Sequence, residues 1–372
     1  MKIGYDAKRL FFNRSGLGNY SRSLVEQMGK YYPADDYVLF TPKPGNPCGF
    51  RVPEGMEVVG PDGFFSRKLS SLWRSYRMGG AIRRQGIDLF HGLSNELPAD
   101  IRRSGARSVV TLHDIIFVHM PELYKPADRR IYTQKYKSSC FNADRVIAIS
   151  RQTKNDLVDT WQVPEEKIDV VYQGCSPVFY EPVSEECKET VRAKYNLPER
   201  YILSVGSIEE RKNLMLTVEA MVRGKIDIDL VACGRATPYT DRIKAFAAKH
   251  GILDRLHFFH HVTFTELPAF YQMAELLVYA SFYEGFGIPI LEGFESHIPV
   301  ITSQGGVFPE TGGDAAWYVD PWEVESMAEA LRKILGDPGL RSAMIAKGDA
   351  YALNFRDEVV SRNIRAVYDK LK

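Results

Sequence analysis

Two carboxylates stand eight positions apart around a glycine-rich turn, in Tyr283-Glu284-Gly285-Phe286-Gly287-Ile288-Pro289-Ile290-Leu291-Glu292. The apolar run LLVYA lies just upstream, so a buried strand should run into a glycine loop and then a helix. Pro289 suits a first helical turn, where its missing N–H would be unpaired anyway. Gly285 and Gly287 let backbone N–H groups come close to a ligand. The helix start adds unpaired donors and a partial positive charge. The pattern is that of a phosphate cradle flanked by two acids.

A second constellation, Gly206-Ser207-Ile208-Glu209-Glu210-Arg211-Lys212-Asn213-Leu214, follows the apolar run YILSV. Arg211 and Lys212 are expected to open a helix, where cations oppose the dipole at a cost of a few tenths of a kcal/mol. An anion would reverse that cost, because a charge-assisted bond to phosphate is worth about 1.5–3 kcal/mol. Ser15-Gly16-Leu17-Gly18-Asn19-Tyr20 precedes an amphipathic stretch. It lacks the third glycine of a dinucleotide fingerprint, and is read as a flexible loop whose backbone N–H groups meet an anion or sugar. His113-Asp114 ends the strand SVVTLH, with the histidine expected at a cleft. Asp227-Ile228-Asp229 alternates into a strand and is read as structural rather than metal-binding.

The elements that must position these groups alternate strand and helix. Thirteen short apolar runs read as strands: Ile3–Asp6, Tyr37–Thr41, Met56–Val59, Leu89–His91, Ser108–His113, Val146–Ser150, Val170–Tyr172, Tyr201–Val205, Asp229–Cys233, Leu256–Phe259, Leu276–Ala280, Val300–Thr302 and Trp317–Val319. Near-continuous apolarity predicts strands buried on both faces, hence α/β with parallel sheets. The Pro- and Glu-rich stretch from Gln173 to Arg200 interrupts the alternation. The expected organisation is a Rossmann-like domain 1–178, a linker 179–199 and a second Rossmann-like domain 200–355. A final amphipathic helix, 356–372, could return to the first domain. In such a pair the deep site is expected between the domains, at the C-terminal strand ends.

Composition excludes several classes. The 372 residues carry 48 Lys plus Arg and 47 Asp plus Glu, a net charge of +1 that argues against a nucleic-acid binder. The halves differ, with +7 in residues 1–180 and −6 in 181–372. No apolar run reaches the roughly 20 residues of a membrane span, and the start lacks the apolar core of a secretory leader. A cytoplasmic location is expected. The five cysteines show no metal-ligand spacing, and neither a zinc site nor a disulfide framework is expected. Between Asp62 and Asp88 six basic residues (Arg67, Lys68, Arg74, Arg77, Arg83, Arg84) interleave with Phe64, Phe65, Leu69, Leu72, Trp73 and Tyr76. A basic amphipathic helix of this kind suits either an anionic membrane surface or ordinary core packing.

The chain resembles the retaining GT-B glycosyltransferases of glycosyltransferase family 4. The likeness rests on the GLGNY loop, TLHDIIFVHMPELY, ADRVIAIS, GSIEERKNL, SFYEGFGIPILE and PVITSQGGVFPETGGDAAWYVDP, and so covers nearly the whole chain. It implies two Rossmann-like domains facing across a cleft, with no metal or other cofactor. It implies a nucleotide-sugar donor held mainly by the second domain and an acceptor near the first, with Arg211 and Lys212 on the donor diphosphate, Glu292 on the ribose and Glu284 on the sugar hydroxyls. Gly285, Phe286, Gly287, Ile288 and Leu291 complete that loop, with Gly206 beside it. Gly16 and Gly18 match the family's N-terminal glycine loop and His113 its cleft histidine. The IEERKN and HDIIFVHMPELY segments look most like polysaccharide mannosyltransferases. GDP-mannose is therefore the favoured donor, with UDP-sugars and GDP-linked deoxysugars open, and the acceptor is a saccharide or lipid-linked saccharide. Three departures stand out: Ser207 where many members carry Arg, Cys233-Gly234-Arg235-Ala236 after the fourth-type strand, and Glu295-Ser296-His297 after the second acid. The alternatives are another enzyme of the same fold, such as an epimerase or phosphorylase, or a non-catalytic interaction subunit.

Overall fold

Thirteen strands form in the computed structural model, which describes residues 1–62 and 68–372. The first seven are β1 (Lys2–Asp6), β2 (Asp36–Phe40), β3 (Glu57–Val59), β4 (Leu89–Gly92), β5 (Arg107–Leu112), β6 (Arg145–Ala148) and β7 (Ile168–Val170). The other six are β8 (Tyr201–Val205), β9 (Asp229–Cys233), β10 (Leu256–Phe259), β11 (Leu276–Tyr279), β12 (Val300–Ser303) and β13 (Trp317–Val319). All pair in parallel, in two sheets ordered β3-β2-β1-β4-β5-β6-β7 and β10-β9-β8-β11-β12-β13. Each strand coincides with an expected apolar run to within two residues. The apolar pattern registers burial on both faces, and only a parallel sheet covered by helices supplies that.

The chain divides into two compact units, Met1–Gln173 with Asp357–Lys372, and Gly174–Arg356. Each sheet reverses its strand order once, between β1 and β4 in the first unit and between β8 and β11 in the second. At such a reversal the loops after adjacent strands splay apart and leave a crevice at the carboxyl ends. The segment expected as a linker instead holds the helix Glu185–Tyr195, capped by Ser184, and belongs to the second unit. Lys194 and Tyr195 both bind Glu266 at the head of the helix Leu267–Gln272. Its charged surface reads as linker, but one buried residue, Val191, and these polar contacts suffice to dock it.

The final helix, Asp357–Asp369, packs on the helix Gly16–Tyr31 within the first unit. Val360, Ile364, Val367 and Tyr368 join the core made by Ile3, Tyr5, Leu24, Val25 and Met28. The spacing of those four residues is the i, i+4, i+7, i+8 stripe of a helix with one apolar face. Tyr368 Oη meets His91 Nδ1 at 2.7 Å, and His91 Nε2 meets Thr111 Oγ1 at 2.8 Å. The chain terminus is thereby tied to the middle of the first sheet.

Two expectations change here. The GLGNY residues are the first turn of a helix beginning at Gly16, not a flexible loop. Asn13 Oδ1 accepts from the N–H groups of Ser15 and Gly18, which fixes the entry. In the basic stretch, Phe64, Phe65 and Arg67 lie outside the described residues, and Trp73 and Arg74 point inward. Arg74 is buried in an ion cluster with Asp6 and Glu96, so it is not available to a lipid surface. Leu69, Leu72 and Tyr76, by contrast, are exposed. No helix among the described residues is long and apolar enough to cross a membrane.

Candidate functional site

The loops after β8 and β11, which flank the reversal in the second sheet, carry the strongest sequence signals. Gly206 leaves β8 with φ of 134°, a conformation reserved for glycine. A Cβ there would make only an ordinary contact with the Lys212 side chain. Next to it, a Cβ at Gly234 would fall 1.8 Å from the Gly206 carbonyl oxygen, so the ends of β8 and β9 can approach only because Gly234 lacks a side chain. Gly234 was missed as a site-shaping residue. Its signal was the Cys233-Gly234 step at a strand end.

Arg211 and Lys212 do not start the helix. They lie in a short 3₁₀ turn, Glu210–Lys212, and Asn213 in the left-handed conformation separates them from the helix Leu214–Gly224. Helix-dipole repulsion is therefore not their main cost. They share a carboxylate instead: Lys212 Nζ lies 2.6 Å and Arg211 Nη1 2.7 Å from Glu284 Oε1. Arg211 also donates to the Tyr283 carbonyl and binds Glu209. Lys212 Nζ donates to Tyr279 Oη at 2.7 Å and sits 4.6 Å from that ring's centroid. Tyr279, the last residue of β11, is a second residue the sequence reading passed over. Its position directly upstream of the acid–glycine motif was the available signal.

The electrostatics follow from burial. Burial alone would raise the Glu284 carboxyl, but Lys212 and Arg211 outweigh it and hold it at about 2. Burial lowers the Lys212 ammonium even with Glu284 beside it. Glu292 has the opposite environment. It lies on the helix Ile288–Glu295, buried, and accepts from Tyr271 Oη at 2.6 Å. Burial raises its carboxyl to about 7, against the smaller effects of Tyr271 and Lys212. The two acids of the motif are thus an ionised, cation-paired group and a group near its titration point at neutrality.

Gly287 caps that helix with φ of 117°, and Pro289 occupies its first turn, as the motif predicts. Phe286 and Leu291 turn their side chains into the core, so only their main-chain groups face the loop's chemistry. The Phe286 carbonyl is already taken by Thr311 Oγ1. A small pocket in this unit is lined by Ser204, Gly206, Ser207, Lys212 and Tyr279 among others.

In the first unit, His113 follows β5 and is buried. Nε2 meets the Leu93 carbonyl at 2.9 Å, so that nitrogen carries the proton and Nδ1 is the acceptor. Burial lowers it to about 4, and the neutral ring packs edge-on to Tyr20 at 4.7 Å. Gly18 packs against the Asn13 backbone, where a Cβ would be 1.9 Å from a carbonyl oxygen. Its N–H is bonded to Ser15 and Asn13, so the residue serves local packing rather than offering a ligand donor. Gly16 has open space around it. Asp229 is engaged by His257 at 2.8 Å and Asp227 is exposed. Among the described residues no cluster of three His, Cys, Asp or Glu side chains is arranged for a metal.

Residues 14–178 match the family model Glycosyltransferase Family 4, and residues 188–350 match Glycosyl transferases group 1. The chain is 26% identical over 375 residues to O-antigen chain mannosyltransferase B of Escherichia coli, covering 95% of this chain and 96% of that one. It is 30% identical over 227 residues to O-antigen chain mannosyltransferase RfbU of Salmonella typhimurium, covering 60% of each. In structure it resembles Anabaena Alr3699/HepE in complex with UDP, with a TM-score of 0.77 at 15% identity and 99% of each chain covered. The two parallel-sheet units are those of the GT-B fold.

Proposed function

Because the chain belongs to the family 4 glycosyltransferases, we propose that it moves a hexose from a nucleotide diphosphate sugar to a saccharide or lipid-linked saccharide acceptor in cell-surface polysaccharide synthesis. The donor we assign is GDP-mannose, and the transfer retains the anomeric configuration. The mannosyltransferase relatives support the sugar. The UDP complex of the Anabaena protein supports a nucleoside diphosphate site in the same fold, and a UDP-sugar is the second choice of donor.

The observation that carries this reading is the buried Arg211–Lys212–Glu284 cluster beside Gly206 and Gly287. Two cations held on a carboxylate three residues before a glycine-capped helix start suit a diphosphate leaving group whose charge grows as the glycosidic bond breaks. They would supply the neutralisation that a divalent ion supplies elsewhere, making the transfer metal-independent. Glu284 holds both cations in place and takes the donor sugar hydroxyls. Glu292 takes the ribose, and the family resemblance gives His113 and Gly16 sugar-contacting roles. As the resemblance to the retaining members of the family implies, the acceptor hydroxyl attacks the face the diphosphate leaves, and the leaving phosphate accepts its proton.

The exposed Leu69, Leu72 and Tyr76, with Lys68, Arg77 and Arg83 exposed nearby, support a peripheral contact with an anionic membrane at its cytoplasmic face. The deciding experiment is calorimetric binding of GDP, UDP and ADP, followed by NMR of the sugar released or transferred from GDP-mannose. Binding of GDP and an α-configured product are expected. Failure to bind any of the three nucleotides would overturn the assignment.

A further inference from the structure

Trp322 is the most exposed large hydrophobic side chain among the described residues, at 74%, and it is nevertheless held in place. Its ring stacks on Phe282 with centroids 4.1 Å apart and planes 25° from parallel. A lone exposed apolar residue needs no explanation. This one is anchored on both sides. The Phe282 N–H donates to the Arg211 carbonyl at 2.9 Å, and Asn213 Nδ2 donates to the Pro321 carbonyl at 2.8 Å. The stack is thus fastened to the turn that carries Arg211 and Lys212, and Phe282 lies two residues ahead of Glu284. One face of Trp322 is covered by Phe282 and the other is left to solvent.

Polar groups stand at the main chain that carries the ring. Asp320 Oδ1 accepts from the Trp322 backbone N–H at 2.9 Å, and Oδ2 accepts from Gln304 Nε2 at 3.0 Å. Both side chains retain acceptor capacity that these bonds do not use. A flat aromatic face with a negative quadrupole beside a carboxylate and an amide matches a pyranose ring, which offers a patch of C–H groups on one face and hydroxyls at its rim.

Resting on the glycosyltransferase reading, we propose that Trp322, backed by Phe282 and flanked by Asp320 and Gln304, is a saccharide platform that takes a pyranose ring of the acceptor. The donor sugar is accounted for by Glu284 and the glycine loop, which begin two residues after Phe282. A second ring docked here would be carried by the same loop that orients the reacting centre, so acceptor binding and donor geometry are linked through Arg211 and Phe282.

Ligand-observed saturation-transfer NMR with α-linked mannobiose, lactose and maltose tests this on the full chain. Transfer to ring C–H protons of at least one disaccharide is expected in the wild type and in Trp322→Phe, which keeps an aromatic face. In Trp322→Ala it should fall about tenfold, with GDP and UDP affinity by calorimetry unchanged, which also shows that the variant is folded. Undiminished transfer in Trp322→Ala overturns the platform, as does absence of transfer to all three sugars in the wild type. A loss in Trp322→Ala of guanosine or uridine binding rather than saccharide binding overturns it in favour of a nucleobase. Failure of the wild type to bind any nucleotide, with Trp322-dependent saccharide transfer intact, strikes the donor assignment and leaves the platform standing.

Discussion

Replacing Glu284 by Gln separates stability from chemistry in one variant. The carboxylate is buried and shared by the partly buried Arg211 and Lys212, so the amide leaves Lys212 without an ion-pair partner and Arg211 with Glu209 alone. Breaking one side of a buried ion cluster costs about 3–5 kcal/mol. The carboxyl's displacement from 4.5 to about 2 corresponds independently to about 3 kcal/mol. Gln still accepts one hydrogen bond, which favours the lower figure, and about 3 kcal/mol in a unit of this size lowers Tm by roughly 6–12 °C. The sign in pH is fixed by the depressed carboxyl. The stabilisation is present above about 4.5 and is lost as pH falls towards 2, and the Gln variant should lack that acid dependence. Nucleoside diphosphate should stabilise the variant more than the wild type, because it supplies the missing negative charge to Arg211 and Lys212. Turnover should fall about a hundredfold through loss of sugar positioning. Differential scanning calorimetry with and without GDP, together with initial rates on GDP-mannose, measures all of this. A Tm within about 2 °C of wild type with full turnover would refute both the buried-cluster energetics and the assigned role.

Glu292 should behave oppositely in pH. Its raised carboxyl favours the protonated form in the folded chain, so stability falls as pH rises from about 4.5 to about 7 and is flat above. Glu292→Gln should abolish that slope in urea titrations at stepped pH and mainly raise the donor's apparent KM. Neutralising Arg211 and Lys212 together, in a Glu284→Gln background so that no buried carboxylate is stranded, should weaken GDP binding by about 2–4 kcal/mol in calorimetry. Tyr368→Phe removes the partner of His91 Nδ1 and should cost about 1–3 kcal/mol in denaturant unfolding. Changing Leu72 and Tyr76 to Ser, with Arg77 and Arg83 to Gln, should abolish a salt-sensitive association with anionic liposomes; wild-type protein that ignores such liposomes at low salt removes the membrane contact.

The strands were legible because a parallel strand covered on both faces has no alternative to an apolar run. Leu276–Tyr279 and Val300–Ser303 are fully buried along their length, and their sequences, LLVY and VITS, carry the signal within each strand. What the sequence does not carry is the use of polar residues as glue. The helix Glu185–Tyr195 is charged on most of its surface and reads as a linker until Lys194 and Tyr195 are seen to close on Glu266. Arg74 reads as one more surface cation in a basic run, yet Asp6 and Glu96, 68 and 22 positions away, bury it. Such pairings depend on which strands lie side by side, and periodicity is blind to that.

The same limit shaped the reading of the site. Residue types and glycine spacing located Arg211, Lys212 and Glu284, because glycines at strand ends and a proline in the first helical turn are local requirements of backbone geometry. The reason the cations tolerate their position is not local. Helix-dipole repulsion was the cost legible in one dimension, but Asn213 in the left-handed conformation moves both cations off the helix end, and a carboxylate 72 and 73 residues away neutralises them. The cluster contains its own anion. On the proposed function, a diphosphate competes with Glu284 for Arg211 and Lys212, or releases its carboxylate toward the sugar hydroxyls. That exchange couples nucleotide binding to sugar orientation through a single oxygen, Glu284 Oε1, on which both cations converge. A site in which Arg211 and Lys212 stood unpaired would bind nucleotide more tightly but would have no such means of making the sugar's placement depend on the diphosphate's arrival.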